Sequence, residues 1–358
     1  MTTRADLGRH LTLEPSAPTK TFVLEVHTDA PLEYLRDIGG RGSVESTEDV
    51  YLQRLVTESG DFWVDRIDPR FWSFHTQMTG AQAGGWLHEH VESRRDTDWM
   101  WLPSDHLRRI APGAISRKVR TEFDGARFLG ANETAQDLKV QLTGSNAELL
   151  IDSIGRLPGY TSAVSVNSIE VELDDPDLGR LREAVKRSGS FAATGEDFVH
   201  HAQFVRSVVD RYALLVRSVE GVAYEFESLP QQADEGGGGR LAGAPIGIQF
   251  SRPIPDLERF CDELFSARWP FRLWGRPVIA DGWASADAVD LHVGQTLRVD
   301  IGLDWMRVYL RAGSCGNTVA RLISNLQSRF DGALTITHEG ISAAVALRQD
   351  LSTTTPTA

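Results

Sequence analysis

Trp305–Phe330, WMRVYLRAGSCGNTVARLISNLQSRF, changes its hydrophobic period once, and that change decides how the end of the chain folds. Met306, Val308 and Leu310 alternate with Arg307, Tyr309 and Arg311, a period of two that predicts a half-buried strand. The small residues Ala312 to Gly316 break it. Beyond them Val319, Leu322, Ile323, Leu326 and Phe330 line one helical stripe, with Asn317 or Thr318 at the N-cap. Strand, glycine loop and helix start together aim backbone N–H groups at one point, an arrangement that binds anions. The residues for such a site are Arg311, Gly313, Cys315, Gly316, Asn317 and Thr318, with Arg321 assisting. The spacing Gly-x-x-x-x-Gly-Lys-Ser/Thr is absent, which argues against an ordinary nucleoside triphosphatase.

The pattern repeats outward from this stretch. A strand at Ile246–Phe250, a helix at Asp256–Ala267, strands near Val278–Trp283 and Leu297–Ile301, and a strand at Leu334–Thr337 complete a split β-α-β (ferredoxin-like) unit over residues 245–345. Before it, residues 229–244 hold four consecutive glycines and read as a flexible linker. A second α/β unit is expected over 136–228 and a Trp-rich α/β domain over 21–135. Residues 1–20 read as loose and 346–358 as a disordered tail. The fold class is thus α/β (α+β), several mixed sheets with flanking helices. Val166–Leu173 reads as a strand, Pro176–Arg187 as a helix opened by Pro, and Glu196–Val219 as a long amphipathic helix. An echo of strand plus Pro-Asp-Leu-x-Arg at Val171–Leu181 and Ile248–Phe260 suggests a duplicated unit.

Composition narrows the function classes. The 358 residues exceed the size of most single cores, and a net charge of −13 argues against a surface built wholly for nucleic acid. Two cysteines, Cys261 and Cys315, make neither a disulfide framework nor a zinc site alone, and suit a reducing cytoplasm. No apolar leader or membrane-length run is read, so a cytoplasmic location without membrane partners is expected.

Chemistry-bearing clusters are few. His88 and His90 form the only His-x-His, flanked by His75 and His106. On a helix, residues two apart diverge by roughly 200°, so no metal ligands are assigned. His200 and His201 read as surface positions. Cys315 at a helix start is a candidate nucleophile without a nameable base, so no catalytic residue and no cofactor is assigned.

Five of the nine tryptophans lie between Trp63 and Trp101, followed by a basic stretch from Arg94 to Arg127 with eight basic and five acidic residues. Trp99 and Trp101, with Arg94, Arg95, Arg108 and Arg109, are read as an interface, since Trp and Arg are enriched there. The favoured expectation is a non-catalytic interaction or assembly subunit of a cytosolic complex, its partners other proteins or itself. The alternative is a nucleotide- or nucleic-acid-binding protein using Gly313–Thr318 and the Arg-rich segment 94–127.

Overall fold

The computed structural model describes residues 2–129, 137–228 and 239–347. Packing divides the chain into two units, one of residues 1–122, 139–157 and 166–213, the other of 123–138, 158–165 and 214–358. The sequence-based boundary at 229–244 is therefore not where the units part. Residues 229–238, with the glycines Gly236 to Gly238, lie outside the described residues. Gly239–Ala242 is a strand paired with Glu225–Ser228.

The first unit is built on β1 (Thr19–Val26), α1 (Pro31–Gly39), β2 (Ser43–Ser46), β3 (Leu52–Thr57), β4 (Gly60–Asp65), β5 (Phe71–Thr76), α2 (Gly80–Ser93), β6 (Thr97–Trp99), α3 (Ser104–Arg108), β7 (Ile115–Asp124), β8 (Asp137–Thr143), α4 (Ala147–Gly155), β9 (Val166–Asp175), β10 (Gly179–Lys186), β11 (Ser190–Gly195) and the first part of α5 (Phe198–Glu220). The strands form one sheet in the order β2-β3-β4-β5-β1-β11-β10-β9-β7-β8, with β6 also on β1. Residues 21–135 and 136–228, expected as separate domains, thus contribute to one sheet. β1 is its centre and is buried on both faces. Phe22 on one face approaches Trp99 and the helix α2 at Gly84, while Thr21 on the other meets α5. The first residues are not loose: a 3-10 turn spans Arg4–Arg9, and Leu7, Leu11 and Leu13 are buried.

One correction bears on function. The helix expected over Pro176–Arg187 is a hairpin, β9 to β10. Asp175 turns the chain by accepting the N–H groups of Asp177 and Leu178 at 2.9 and 3.0 Å. Gly179 sits at φ +73°, where a Cβ would also meet the Glu196 carboxylate. Pro, Asp and Gly were turn chemistry rather than a helix start. Leu181, Glu183 and Val185 point inward with period two, and the inward glutamate disguises the strand. The echo with Ile248–Phe260 is accordingly not a repeat, because the later copy does lead into a helix.

The second unit carries β12 (Glu225–Ser228), β13 (Gly239–Ala242), β14 (Ile246–Gln249), α6 (Leu257–Leu264), β15 (Leu273–Gly275), β16 (Val278–Ala280), β17 (Trp283–Asp290), β18 (Thr296–Gly302), β19 (Trp305–Leu310), α7 (Asn317–Arg329), β20 (Thr335–Ile336) and α8 (Glu339–Val345). Its main sheet runs β15-β17-β18-β19-β14-β20, with β16 also on β17. The stretch β20-β14-β19-β18 has the split β-α-β order that the periodicity implies, and β15 to β17 extend its edge. Phe128, Phe250, Phe260 and Phe330 pack edge to face in its core, with Phe260 and Phe330 ring centroids 4.9 Å apart. Among the described residues no helix is long and apolar enough to cross a membrane.

Candidate functional site

The antiparallel register sets the site. His75 of β5 lies opposite both Thr21 of β1 and Trp63 of β4. Side chains directly opposite share a face, so these three stand in one row across the sheet. On β10, Glu183 lies opposite Ala193 of β11, which lies opposite Thr19, so Glu183 stands on the same face one pleat along. Helix α5 lays His201 on this row. Thr21 Oγ1 is 2.7 Å from His75 Nδ1 and 2.7 Å from His201 Nε2, and His201 Nδ1 is 2.8 Å from Glu183 Oε2. All four residues are buried. Four polar side chains in series thus replace apolar core, at a desolvation cost that only mutual hydrogen bonding offsets.

One end of the chain of bonds opens onto a cavity of about 510 Å³, within the usual size range of small-molecule sites. His75 lines it, with Phe71, Phe198, Val199, Ala202 and Val205 supplying apolar wall. Asp65, Asp68, Asp210, Arg4 and Arg206 provide its charged groups. Thr21 holds Nδ1 of His75, so Nε2 is the ring nitrogen left to meet a ligand. Burial, with a smaller push from His201, moves the His75 imidazole down to about 3, so it is neutral at physiological pH. Burial raises the Glu183 carboxyl, the two histidines His201 and His200 opposing it, and Glu183 Oε1 is buried without a partner. Burial likewise raises Asp65, and Arg4 opposes that rise.

These shifts give a pH signature. The folded imidazole of His75 lies below its unfolded value of 6.5. Its stabilising contribution is therefore complete above about pH 6.5 and is lost as pH falls toward 3, by roughly 1.4 kcal/mol per pH unit. Glu183, raised by burial, has the opposite sign: its contribution is complete below its unfolded pKa and lost as pH rises through its folded one. Urea unfolding at stepped pH should show His75→Gln losing less stability on acidification than wild type does. Parallel curves would mean that His75 is not held neutral.

A larger hollow of about 870 Å³ in the same unit borders Glu45, Asp61, Arg54 and Trp63. Its charges are mutually engaged. Arg54 bridges Glu45 and Asp61 and lies over the Trp63 ring, leaving little unspent polarity for a ligand.

The residues singled out from sequence lie elsewhere. In the glycine loop, Cys315 N donates to Gln295 Oε1 at 2.6 Å and Gly316 N to Glu220 Oε1 at 2.9 Å. Ser314 N donates to the carbonyl of Arg311, and Thr318 N to that of Cys315. Gly313 takes the turn at φ +79°. Helix α7 begins at Asn317 after a Gly316 cap without a side-chain bond. The Thr318 hydroxyl and Arg321 both go to the buried carboxylate of Asp290. The anions at this helix start are thus the chain's own, Asp290 and Glu220, and the loop offers no open cradle. Cys315 is buried, and burial raises the other thiol, Cys261, to about 12.

Trp99 and Trp101 are 5% and 2% exposed, so both belong to the core, against the reading of an interface. Trp101 donates to Asp98 Oδ1 at 3.0 Å and lies under Arg187. The basic stretch is neutralised locally: Arg94 pairs with Asp37 and Asp96, Arg108 with Asp152, Arg117 with Glu172 and Lys118 with Glu170. Arg95 and Arg109 are exposed. His88 and His90 lie on α2 as expected, His88 beside Glu92 and His90 against Trp86. His201, read as a surface residue, is fully buried, and His200 is buried too, its Nδ1–H donating to the carbonyl of Gly179 at 3.1 Å.

Sequence reading missed Thr21, His75, His201 and Glu183 as a set because they come from three strands and a helix far apart in the chain. The available signal was a glutamate at an inward strand position, visible only once β10 is read as a strand.

No solved structure matches the chain. Among curated proteins it is similar to "Uncharacterized protein MJECL33" of Methanocaldococcus jannaschii, 24% identical over 365 residues, covering 89% of this chain and 86% of that protein. The profile of the MJECL33-like protein family matches residues 7–344, which include both units and all four residues of the buried array. With a match of that extent, the chain belongs to the MJECL33-like protein family.

Proposed function

We propose that the first unit binds a small, largely apolar molecule in the cavity beside His75. The observation that supports it is a hollow of about 510 Å³ with apolar walls and one buried, neutral imidazole aimed at it. Such a combination, apolar volume with a few fixed polar groups, is what small-molecule sites share. Trp99 and Trp101 are core, although Arg95 and Arg109 are exposed, and the Cys315 and Gly316 N–H groups of the loop are taken by Gln295 and Glu220, so the interface and anion-loop readings draw little support from them.

Ala202 lines the cavity from α5, and Ala202→Trp should fill it. Screening a metabolite library by thermal unfolding should find compounds that raise the wild-type melting temperature and leave the variant unmoved. A ligand at one hundred times its Kd stabilises by about 2.7 kcal/mol. A screen in which every stabilising compound acts equally on both proteins, or in which none stabilises wild type, would sink this reading.

Assembly keeps one specific support, in the second unit. Strand β16 has a strand neighbour on only one side among the described residues, and Val278 is 68% exposed, with Ile279, Trp274 and Trp283 also exposed. An apolar sheet edge of this kind invites strand addition. Under this second reading, sedimentation of the full chain should show self-association that Val278→Lys with Ile279→Lys abolishes. Identical monomeric sedimentation of both proteins would count against it.

A further inference from the structure

The buried array does more than its size requires for holding one histidine in place. A single hydrogen bond would orient His75, yet three further groups follow in sequence, Thr21, His201 and Glu183. Thr21 has one hydrogen and sits 2.7 Å from two imidazole nitrogens. It therefore donates to one ring and accepts from the other, and the two directions are alternative states of the same network.

We propose that Thr21, His201 and Glu183 form a proton relay that lets His75 take a proton from a weak O–H acid bound in the cavity. This rests on the reading of that cavity as a small-molecule site.

At pH above the raised titration of the Glu183 carboxyl, the resting state has His201 Nδ1–H donating to the Glu183 carboxylate and the Thr21 hydroxyl donating to His201 Nε2. His75 Nδ1–H donates to Thr21 Oγ1, which leaves His75 Nε2 with its lone pair toward the cavity. A ligand O–H gives its proton to Nε2. The Nδ1 proton of His75 passes to Thr21 Oγ1, and the former hydroxyl hydrogen of Thr21 passes to His201 Nε2. His75 ends neutral in its other tautomer, the ligand ends as an anion, and His201 ends as an imidazolium beside the Glu183 carboxylate. One proton leaves the ligand and one arrives at His201, so charge and atoms balance.

The relay answers an electrostatic difficulty. Burial disfavours a charge on His75, so by itself it is a poor base. His201 has a carboxylate at 2.8 Å to meet the charge, and His75 does not. A ligand anion would meet Arg206, which borders the cavity, gives its Nε–H to Asp210 at 2.9 Å and keeps Nη1 buried without a partner, whereas Arg4 on the same wall is already paired with Asp49 at 2.6 Å. The other charged groups facing this region are Asp65, Asp68 and Asp210 on the cavity wall and His200 near Glu183. Their acidic members oppose a ligand anion, which is why the class is a weak acid that enters uncharged.

Two measurements on the full chain test this. In nitrogen-15 imidazole spectra, acidification without ligand should switch His75 from its Nδ1–H to its Nε2–H tautomer while its ring stays neutral. Thr21→Val should remove the tautomer switch, and Thr21→Ser should restore it. A His75 that keeps one tautomer throughout, or a switch that survives Thr21→Val, overturns the relay. Should Thr21→Val fail to fold, Glu183→Gln serves, since it removes the carboxylate 2.8 Å from His201 that the relay needs at its far end and should abolish the switch.

The ligand class is probed with para-nitrophenol, whose phenolate is yellow. Bound to wild type below its own pKa it should show the phenolate band, and bound to Thr21→Val it should not. Binding without ionisation overturns the relay and leaves the cavity reading intact. Absence of binding, in a protein with an intact tautomer switch, overturns the ligand class, and the library screen against Ala202→Trp then decides the cavity reading separately.

Discussion

Asp290→Ala should destabilise the second unit by about 3–5 kcal/mol, the cost of leaving a buried guanidinium without its counter-charge. Arg321 is fully buried on α7, and its guanidinium reaches the Asp290 carboxylate and, at 2.9 Å, the carbonyl of Phe271. The same carboxylate accepts the Thr318 hydroxyl and the His292 N–H, so its loss also strands two neutral donors. Every residue of α7 from Asn317 to Ser328 is buried, so water has little access to replace these bonds. The double variant Asp290→Ala with Arg321→Met should be more stable than Asp290→Ala alone, because it removes both charges together. Equilibrium denaturation of the three variants reads this directly. A single variant that unfolds with the wild-type midpoint would show that the pair carries no such weight.

Trp101→Ala and Trp99→Ala should each cost about 3–5 kcal/mol, the range for emptying a large aromatic site in a core. Trp99 pairs through β6 with Leu24 on the central strand, and its ring lies 6.3 Å from that of Phe22. Trp101 loses in addition the bond from its ring N–H to Asp98 and the stacked guanidinium of Arg187. Both effects should appear as a fall in melting temperature, with elution by size exclusion unaltered for whatever fraction stays folded. Variants with wild-type melting temperature and altered elution would return these residues to an interface.

The sequence by itself determined the elements whose burial is periodic. β19 and α7 were legible because Met306, Val308 and Leu310 keep period two and Val319 to Phe330 keep a helical stripe. The long helix α5 and the split order of the second sheet were legible for the same reason, together with the turn residues between them. Helix α2 was readable from its Thr79 cap, which accepts the Gln82 N–H.

Tertiary structure decided the rest wherever a polar residue faces inward. β10 hid behind Glu183, because a period-two pattern with a charged inward position looks like a broken helix. His201 looked exposed because a histidine acquires a buried role only when Thr21 and Glu183, 180 and 18 residues away, are brought to it. The glycine loop had the right local shape for an anion. Its N–H groups nevertheless point at Gln295 and Glu220, acceptors that local pattern could not supply. Trp99 and Trp101 carried an interface composition, but a central strand covered on both faces placed them in the core. Local sequence sets the period and the turns of each segment. Which donors and acceptors remain for chemistry is fixed only when distant segments satisfy one another's polar groups.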